Sequence, residues 1–571
     1  MKERRWWIVV LALFLLRFVL SLRGLDYGLP EAHEPDVELV RQSLHFRGEA
    51  LAKPEQLAFY PHLISRLMAL VPRPGAVSTT PSDERLEAHL AFAARHILAA
   101  RQCIALIAAC AVPLTWFLAR PFMGPGWSVL ASALLASSLL HFDFSQQARP
   151  HGALTTFVLA AMLSCAALAK KPNGWRYLLA GITSALALSA LQSGALVLIA
   201  GLCAHGIAMR GKRPRNHLWL TIPFACVTVG IVLFYPFLLD GAAWRSTGAD
   251  ESEIETFPQR LNTFDGSGFA KLLLFLGDYD PTVWILAVAG FVLWLIRSLR
   301  SRSIGSKDSK TELIVYSCAL IAYVLVIGCY SRVFARFLEP IMPFVCVIGA
   351  QIVREFSICV KWLARSRLAT VALCFGLLAF PSYLVVRLAN LRAGTDTFTE
   401  CAVWVSEHAV LARDRILLSP TLSLPLFHTI VRAEDYSPWS SPASHFWHRY
   451  LWDLPVESLG EPLYDVRYIA RGGRPYMGLK DYPKNETRAA EFLETLRGRY
   501  AIVTAGGTLL DCVRDAVAEH GTLVHTISPW FSGGPEDPAG MEFNGRRFWS
   551  KLLHAQHHGP LLEIYRLQPM R

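Results

Sequence analysis

Apolar stretches of roughly 16 to 24 residues, separated by short polar breaks, recur through the first two thirds of the chain. Each is long enough to cross a hydrocarbon core of about 30 Å as a helix. They predict eleven spans, at residues 6–22, 99–119, 126–142, 150–169, 175–191, 193–209, 216–238, 281–298, 311–331, 337–356 and 366–388. The tightest break falls at Gln192-Ser193-Gly194.

Loop charge alternates along this series, as expected when basic loops stay in the cytoplasm. Lys2/Arg4/Arg5, Arg120, Lys170/Lys171/Arg176, Arg210/Lys212/Arg213/Arg215, Arg297/Arg300/Arg302/Lys307/Lys310 and Lys361/Arg365/Arg367 form the cytoplasmic set. The opposite set holds the first loop (23–98), the His141-to-Pro150 turn, the 239–280 loop, the Ser331-to-Arg336 turn and everything after about residue 390. The N-terminal basic cluster and the apolar run to Leu22 resemble a signal sequence without a small-residue cleavage site, which predicts a retained anchor.

The first outer loop carries helix-like amphipathic pieces, with Val37, Val40 and Leu44 on one face and Leu63, Leu67 and Leu70 on another. Such pieces are suited to lying in the interface as a roof over a cavity. From residue 391 to 571 helical patterns (398–408, 489–498) alternate with short apolar runs at 415–418, 501–504 and 561–565. This predicts a second domain of α/β type outside the membrane, following a helical membrane domain at 1–390.

Composition supports a multi-span membrane protein: 53% of the 571 residues are hydrophobic, 18% are charged and the mean hydropathy is +0.33. The net charge of +11 sits largely in the short loops, as orientation signals do, and implies no nucleic-acid partner. The 12 cysteines include no C-x-x-C pair, and most lie singly inside apolar runs. Cys401 and Cys512 fall in the C-terminal region, where an oxidising compartment could join them. There is no P-loop or H-E-x-x-H pattern for an ATPase or zinc protease.

The chemistry-bearing residues gather in the outer loops. A carboxylate cluster, Glu31, Glu34, Asp36 and Glu38, follows the first span. A carboxylate there can take a proton from a nucleophile or hold a cation; each of these also reads as a solvated or helix-start acid. Arg149, Arg332 and Arg336 are cations in outer turns where orientation does not ask for them. A guanidinium fork matches phosphate oxygens, although an interfacial anchor is the plainer alternative. Arg17, inside the first span, either snorkels or meets a group in the cavity. His141 and His151 read more simply as structural hydrogen-bonders than as ligands.

Gly28-Leu29-Pro30 followed by His33-Glu34-Pro35-Asp36 resembles the first-loop signature of bacterial GT-C glycosyltransferases, in the superfamily of protein O-mannosyltransferases and the lipid A aminoarabinose transferase. Tyr60-Pro61-His62-Leu63, Gln147-Ala148-Arg149-Pro150-His151 and Arg336-Phe337-Leu338-Glu339-Pro340-Ile341-Met342-Pro343 are similar to later segments of that family, in the same order. The resemblance spans most of residues 1–390. It implies an inverting transferase that uses a polyprenyl-phosphate sugar, with Asp36 as catalytic base, Arg149 and Arg336 as phosphate contacts and Tyr60 shaping the cavity. Two departures stand out. Glu34 is inserted before Pro35, so either carboxylate can be the functional one, with the Pro-Asp step favouring Asp36. His151 stands where many relatives carry a second acid, and Asp143 is the nearest acid, so a shared-carboxylate site for a divalent cation is less well supported and a histidine-assisted or metal-free site is open.

These features predict a glycosyltransferase of the bacterial cytoplasmic membrane acting on a lipid, glycan or protein acceptor at the outer face. The alternatives are a transporter or flippase of lipid-linked saccharides, which would carry inverted repeats and broken helices, and a non-enzymatic scaffold for envelope assembly.

Overall fold

The computed structural model describes residues 2–29, 37–48, 57, 60–72, 84–210, 214–239, 264–300, 307–331, 333–410, 413–419, 422, 424, 464–470, 483, 485–504, 508–531 and 547–568. Every expected span falls on helix. Among the described residues, eight helical stretches are long and apolar enough to cross a membrane; Ala94–Ala136 and Arg367–His408 each run on through more than one helix. Gly174–Ala190, at 17 residues, is shorter.

Glycine and proline break the apolar runs. Inside Ala111–Ala136, between the two expected spans, Gly124 adopts φ 75° and Pro121 and Pro125 flank it. The buried Trp116 donates its indole N–H to the Pro125 carbonyl at 2.9 Å and seals this break. At the 192–194 break the chain reverses so sharply that a Cβ on Gly194 would sit 2.0 Å from the Ala187 carbonyl oxygen. Only glycine fits there.

Pro150–Lys170 is the most enclosed of the long helices, with 78% of its window buried; His217–Phe234, with 11%, lies at the rim. The inner helix is lined with Gly152, Ala153, Ala161 and Ala166, and a Cβ on Gly152 would come within 3.3 Å of Ala108. Small residues let helix backbones approach closely where lipid removes the hydrophobic drive between helices.

Two expected loops are more structured than their charge suggests. The 239–280 loop ends in a helix, Gly268–Tyr279, which buries Leu272, Leu276 and Tyr279 on one face at helical spacing. The His141-to-Pro150 turn begins as a short buried helix, Leu139–Ser145, so the preceding span ends at Ala136 instead of residue 142. The 337–356 span also starts late, at Met342, because a 3₁₀ turn, Ala335–Leu338, and Pro340 precede it. Proline has no N–H for the ladder and restrains the residue before it.

After Thr397 the chain builds a five-stranded sheet from β1 (Arg415–Leu418), β2 (Asp465–Tyr468), β3 (Tyr500–Thr504), β4 (Gly521–Ile527) and β5 (Leu562–Leu567), in the order β2-β1-β3-β5-β4. β1 pairs parallel with β2 and β3, and β5 runs antiparallel to β3 and β4. β2 and β4 were not among the expected runs. One face of the sheet packs Cys401 and Val405 of the Thr397–His408 helix against Ile416, Leu418 and Ile502. The other packs Leu417, Ala501 and Val503 against the Glu486–Leu496 and Thr508–His520 helices. Cys401 and Cys512 belong to opposite faces of the sheet and are not joined, so the bridge left open by the sequence is absent from the structure.

The sheet region is stitched to the bundle. Phe548 stacks on Tyr279 with ring centroids 4.6 Å apart, and Arg387 donates to the carbonyls of Leu552 and Ala555, both at 2.7 Å.

Candidate active site

The start of the first loop is bolted to the bundle by cations. Arg101 donates to the carbonyls of Leu25 and Tyr27, both at 2.8 Å, and the Tyr27 ring lies between the guanidinium groups of Arg101 and Arg392, at 4.2 and 4.3 Å from its centroid. Gln146 donates its amide to the carbonyls of Ser21 at 3.0 Å and Arg23 at 2.8 Å. Gly24, at φ 66°, lies so close to the end of the Arg367–Arg392 helix that a Cβ would meet Ala393 N at 2.6 Å. These contacts fix the loop up to Leu29. Glu31, Glu34 and Asp36 lie outside the described residues, as does Arg332, and nothing is described of the Glu38 side chain.

Beside that anchor is a buried polar layer. Asp280 accepts from the Ser138 hydroxyl at 2.7 Å and from the N–H groups of Leu139 (2.7 Å) and Leu140 (3.2 Å), so its charge caps the Leu139–Ser145 helix at the end that favours an anion. Asp143, on that helix, forms a fully buried ion pair with Arg392, which also donates to the Gln146 side chain at 2.9 Å; Gln147 donates to Asp143 at 3.1 Å. Arg17 does not snorkel. It is buried, donates to Ser145 Oγ at 3.2 Å and lies 4.7 Å from the centre of the Phe142 ring.

Glu339 and His141 complete the layer. Nδ1 of His141 is 2.7 Å from Oε2 of Glu339, and Nε2 is 3.2 Å from the Ala108 carbonyl. Both ring nitrogens therefore face acceptors. Thr155 donates to the same carboxylate oxygen at 3.3 Å.

The predicted phosphate ligands stand at the edge of this layer. Arg149 caps the start of Pro150–Lys170 and is buried. Arg336, half-buried, lies over Phe334 (4.3 Å) and Phe337 (5.3 Å), while His151 stacks on Phe337 at 5.8 Å. Phe337 thus meets both Arg336 and His151, two residues from Arg149, so two segments nearly two hundred residues apart come together here. Tyr60, farther along the first loop, is half-buried against the bundle core and its carbonyl accepts from Gln42 at 3.5 Å.

Five side-chain atoms of this region are buried with no hydrogen-bond partner: Arg17 Nε, Asp143 Oδ2, Gln147 Oε1, His151 Nδ1 and Glu339 Oε1. Buried polar atoms left unpaired cost about 1–3 kcal/mol each, so such a concentration marks a place built for a polar occupant. Among the described residues no three His, Cys, Asp or Glu side chains group as a metal site. Asp143 and Glu339 do not supply one, since Asp143 already pairs with Arg392 and Glu339 with His141.

Sequence reasoning passed over Glu339, Arg392 and Arg101. Arg101 and Arg392 are cations at the same end of the bundle as Arg149, and the signal that singled out Arg149 applies to them equally. Glu339 gave a weaker one, an acid lodged between apolar residues in an outer turn.

Residues 86–239 match the family model of dolichyl-phosphate-mannose-protein mannosyltransferases. No curated protein matches the chain in sequence. Among solved structures, the chain is similar to the oligosaccharyltransferase AglB of Archaeoglobus fulgidus in complex with an inhibitory peptide and a dolichol-phosphate (11% identity over 93% of this chain and 74% of that one, TM-score 0.45). It is also similar to ArnT of Cupriavidus metallidurans bound to undecaprenyl phosphate (13% identity, 78% and 76%, TM-score 0.41) and to the S. cerevisiae protein O-mannosyltransferase complex Pmt1-Pmt2 bound to the sugar donor (18%, 41% and 34%, TM-score 0.31). Structural likenesses this distant bear on neither site nor activity.

Proposed function

We propose that this multi-span membrane protein is a glycosyltransferase that moves a sugar from a polyprenyl-phosphate donor to an acceptor at the outer face of a bacterial cytoplasmic membrane. The observation that carries the reading is the group of five buried, unpartnered polar atoms beside Arg149 and Arg336, at the end of the bundle where the carboxylate-rich loop begins. The match of residues 86–239 to mannosyltransferases that use a lipid-phosphate sugar supports it independently.

In this reading Arg149 and Arg336 bind the donor phosphate and stabilise the charge that grows on it as the glycosidic bond breaks. His151, stacked on Phe337, directs its unpartnered Nδ1 to a sugar or phosphate oxygen. Asp36, with Glu34 as the alternative, removes the proton from the acceptor nucleophile, which attacks the anomeric carbon opposite the leaving phosphate and inverts it. The domain at 391–571 lies outside the membrane with the first loop, and the N-terminus is cytoplasmic.

The test is mass spectrometry of envelope lipids and glycans from cells with and without the protein, complemented by the native chain or by Arg336→Ala. A sugar lost on deletion and restored only by the native chain is expected. Identical profiles with and without the protein would end the proposal.

A further inference from the structure

At the end of the sheet far from the bundle, four arginines from two strand entries line one cavity of about 440 Å³: Arg413 and Arg415 lead into β1, and Arg497 and Arg499 lead into β3. The distance follows from the topology. β5 begins near the bundle, three residues after Gly559 crowds Thr397, and runs antiparallel to β3, so Arg499 and Tyr500 lie beside its far end. At about 3.3 Å per residue, six residues carry the cavity roughly 20 Å out.

Charge here is unbalanced. Arg415 donates to Asp465 at 2.7 Å, and Arg467 shares the same carboxylate at 3.0 Å; Arg499 grips both oxygens of Asp414, at 2.7 and 2.6 Å. Five guanidinium groups thus share two carboxylates. Arg413 and Arg497 are exposed and have no ion-pair partner among the described residues. Like charges gathered this closely destabilise the fold unless an anion neutralises them.

The backbone makes the same point. Arg497 ends the Glu486–Leu496 helix in the left-handed conformation, φ 49° and ψ 57°, where glycine is the usual residue. The glycine sits one place later, at Gly498, where a Cβ would come within 2.3 Å of Leu417. A strained arginine is thus kept at the mouth of a polar cavity where glycine would be more comfortable.

We infer that this cavity binds a phosphate-bearing ligand from the aqueous side, gripped by Arg413 and Arg497 with Arg415 and Arg499 behind them. Its volume falls in the range of small-ligand sites, about 300–1,000 Å³, and is generous for a lone ion. The guanidinium fork selects phosphate oxygens. Glucose 1-phosphate and a phosphodiester-linked polysaccharide represent the two sources of that chemistry, a free sugar phosphate and a phosphate carried on a polymer.

Calorimetric titration of the full-length protein in detergent with inorganic pyrophosphate, glucose 1-phosphate and a phosphodiester polysaccharide, at fixed ionic strength, tests this. Saturable binding of at least one probe is expected, weakened about tenfold or more by Arg413→Ala and by Arg497→Gly. The second variant should melt no lower than the native protein, since glycine relieves the strained backbone, so a loss of binding there is not a loss of fold. Preference for glucose 1-phosphate or for the polymer identifies the source. No saturable binding of any probe, or equal affinity in native protein and both variants, overturns the inference.

Discussion

The carboxylate of Glu339 lies 2.7 Å from Nδ1 of His141, and both side chains are completely buried. The pair joins the Leu139–Ser145 helix to the 3₁₀ turn at Ala335–Leu338, and so holds the segment of Arg336 against the segment of Arg149. Removing one member leaves a buried polar partner unsatisfied, which typically costs about 1–3 kcal/mol. Glu339→Gln should therefore lower the melting temperature in detergent and weaken donor binding together. Replacing both members with apolar residues, as in Glu339→Leu with His141→Leu, should recover much of the stability and little of the donor affinity. A double variant no more stable than Glu339→Gln would remove the structural role of the pair.

Arg336 lies over Phe334 and Phe337, and His151, two residues from Arg149, stacks on the same Phe337 from a separate segment. Truncating Arg149 or Arg336 to alanine should weaken binding of a polyprenyl-phosphate sugar by about 2–5 kcal/mol, the usual cost of losing one partner of a desolvated charge pair. Lysine should rescue only in part, because it lacks the planar fork. Unchanged donor affinity in a folded Arg336→Ala protein contradicts the assignment.

Asp36→Asn keeps shape and hydrogen bonding but cannot take a proton, and losing a general base slows turnover by about 10²–10⁴-fold. Expression and donor binding should stay nearly intact, and Glu34→Gln should do much less. One transfer assay on both variants decides between the carboxylates: an active Asp36→Asn beside a dead Glu34→Gln moves the base to Glu34, and two active variants leave the mechanism without a base in this loop.

The alternating loop charge predicts residues near 212 and 305 to be cytoplasmic and residues near 450 to be outside. Reporter fusions at these three positions should read accordingly. A cytoplasmic signal at 450 would put the first loop and its carboxylates on the wrong side for a lipid-linked donor at the outer face.

Much of this architecture was legible along the chain because its signals are local. Twenty apolar residues need a membrane or a core, glycine and proline break helices wherever they stand, and loop charge sets orientation. Thus the helices at Pro150–Lys170 and Gly174–Ala190, and strands β1, β3 and β5, fall where the pattern of apolar positions puts them. Strands β2 and β4 escaped notice. β4, at the edge of the sheet, is largely exposed and has no buried face to impose an alternating pattern.

What only the tertiary structure decided is which polar groups meet. Asp143 pairs with Arg392, 249 residues away, and His141 with Glu339, 198 residues away. No local pattern encodes such partners, because they follow from how the helices are arranged around Pro150–Lys170. The same distance explains Cys401 and Cys512: sequence put both in one domain, and the sheet between them put them on opposite faces. Residue type and loop position sufficed to nominate Arg149 and Arg336, since a cation in an outer turn runs against the orientation rule. The meeting of Arg336 and His151 on Phe337, and the unpartnered oxygens of Asp143 and Glu339, come from packing alone.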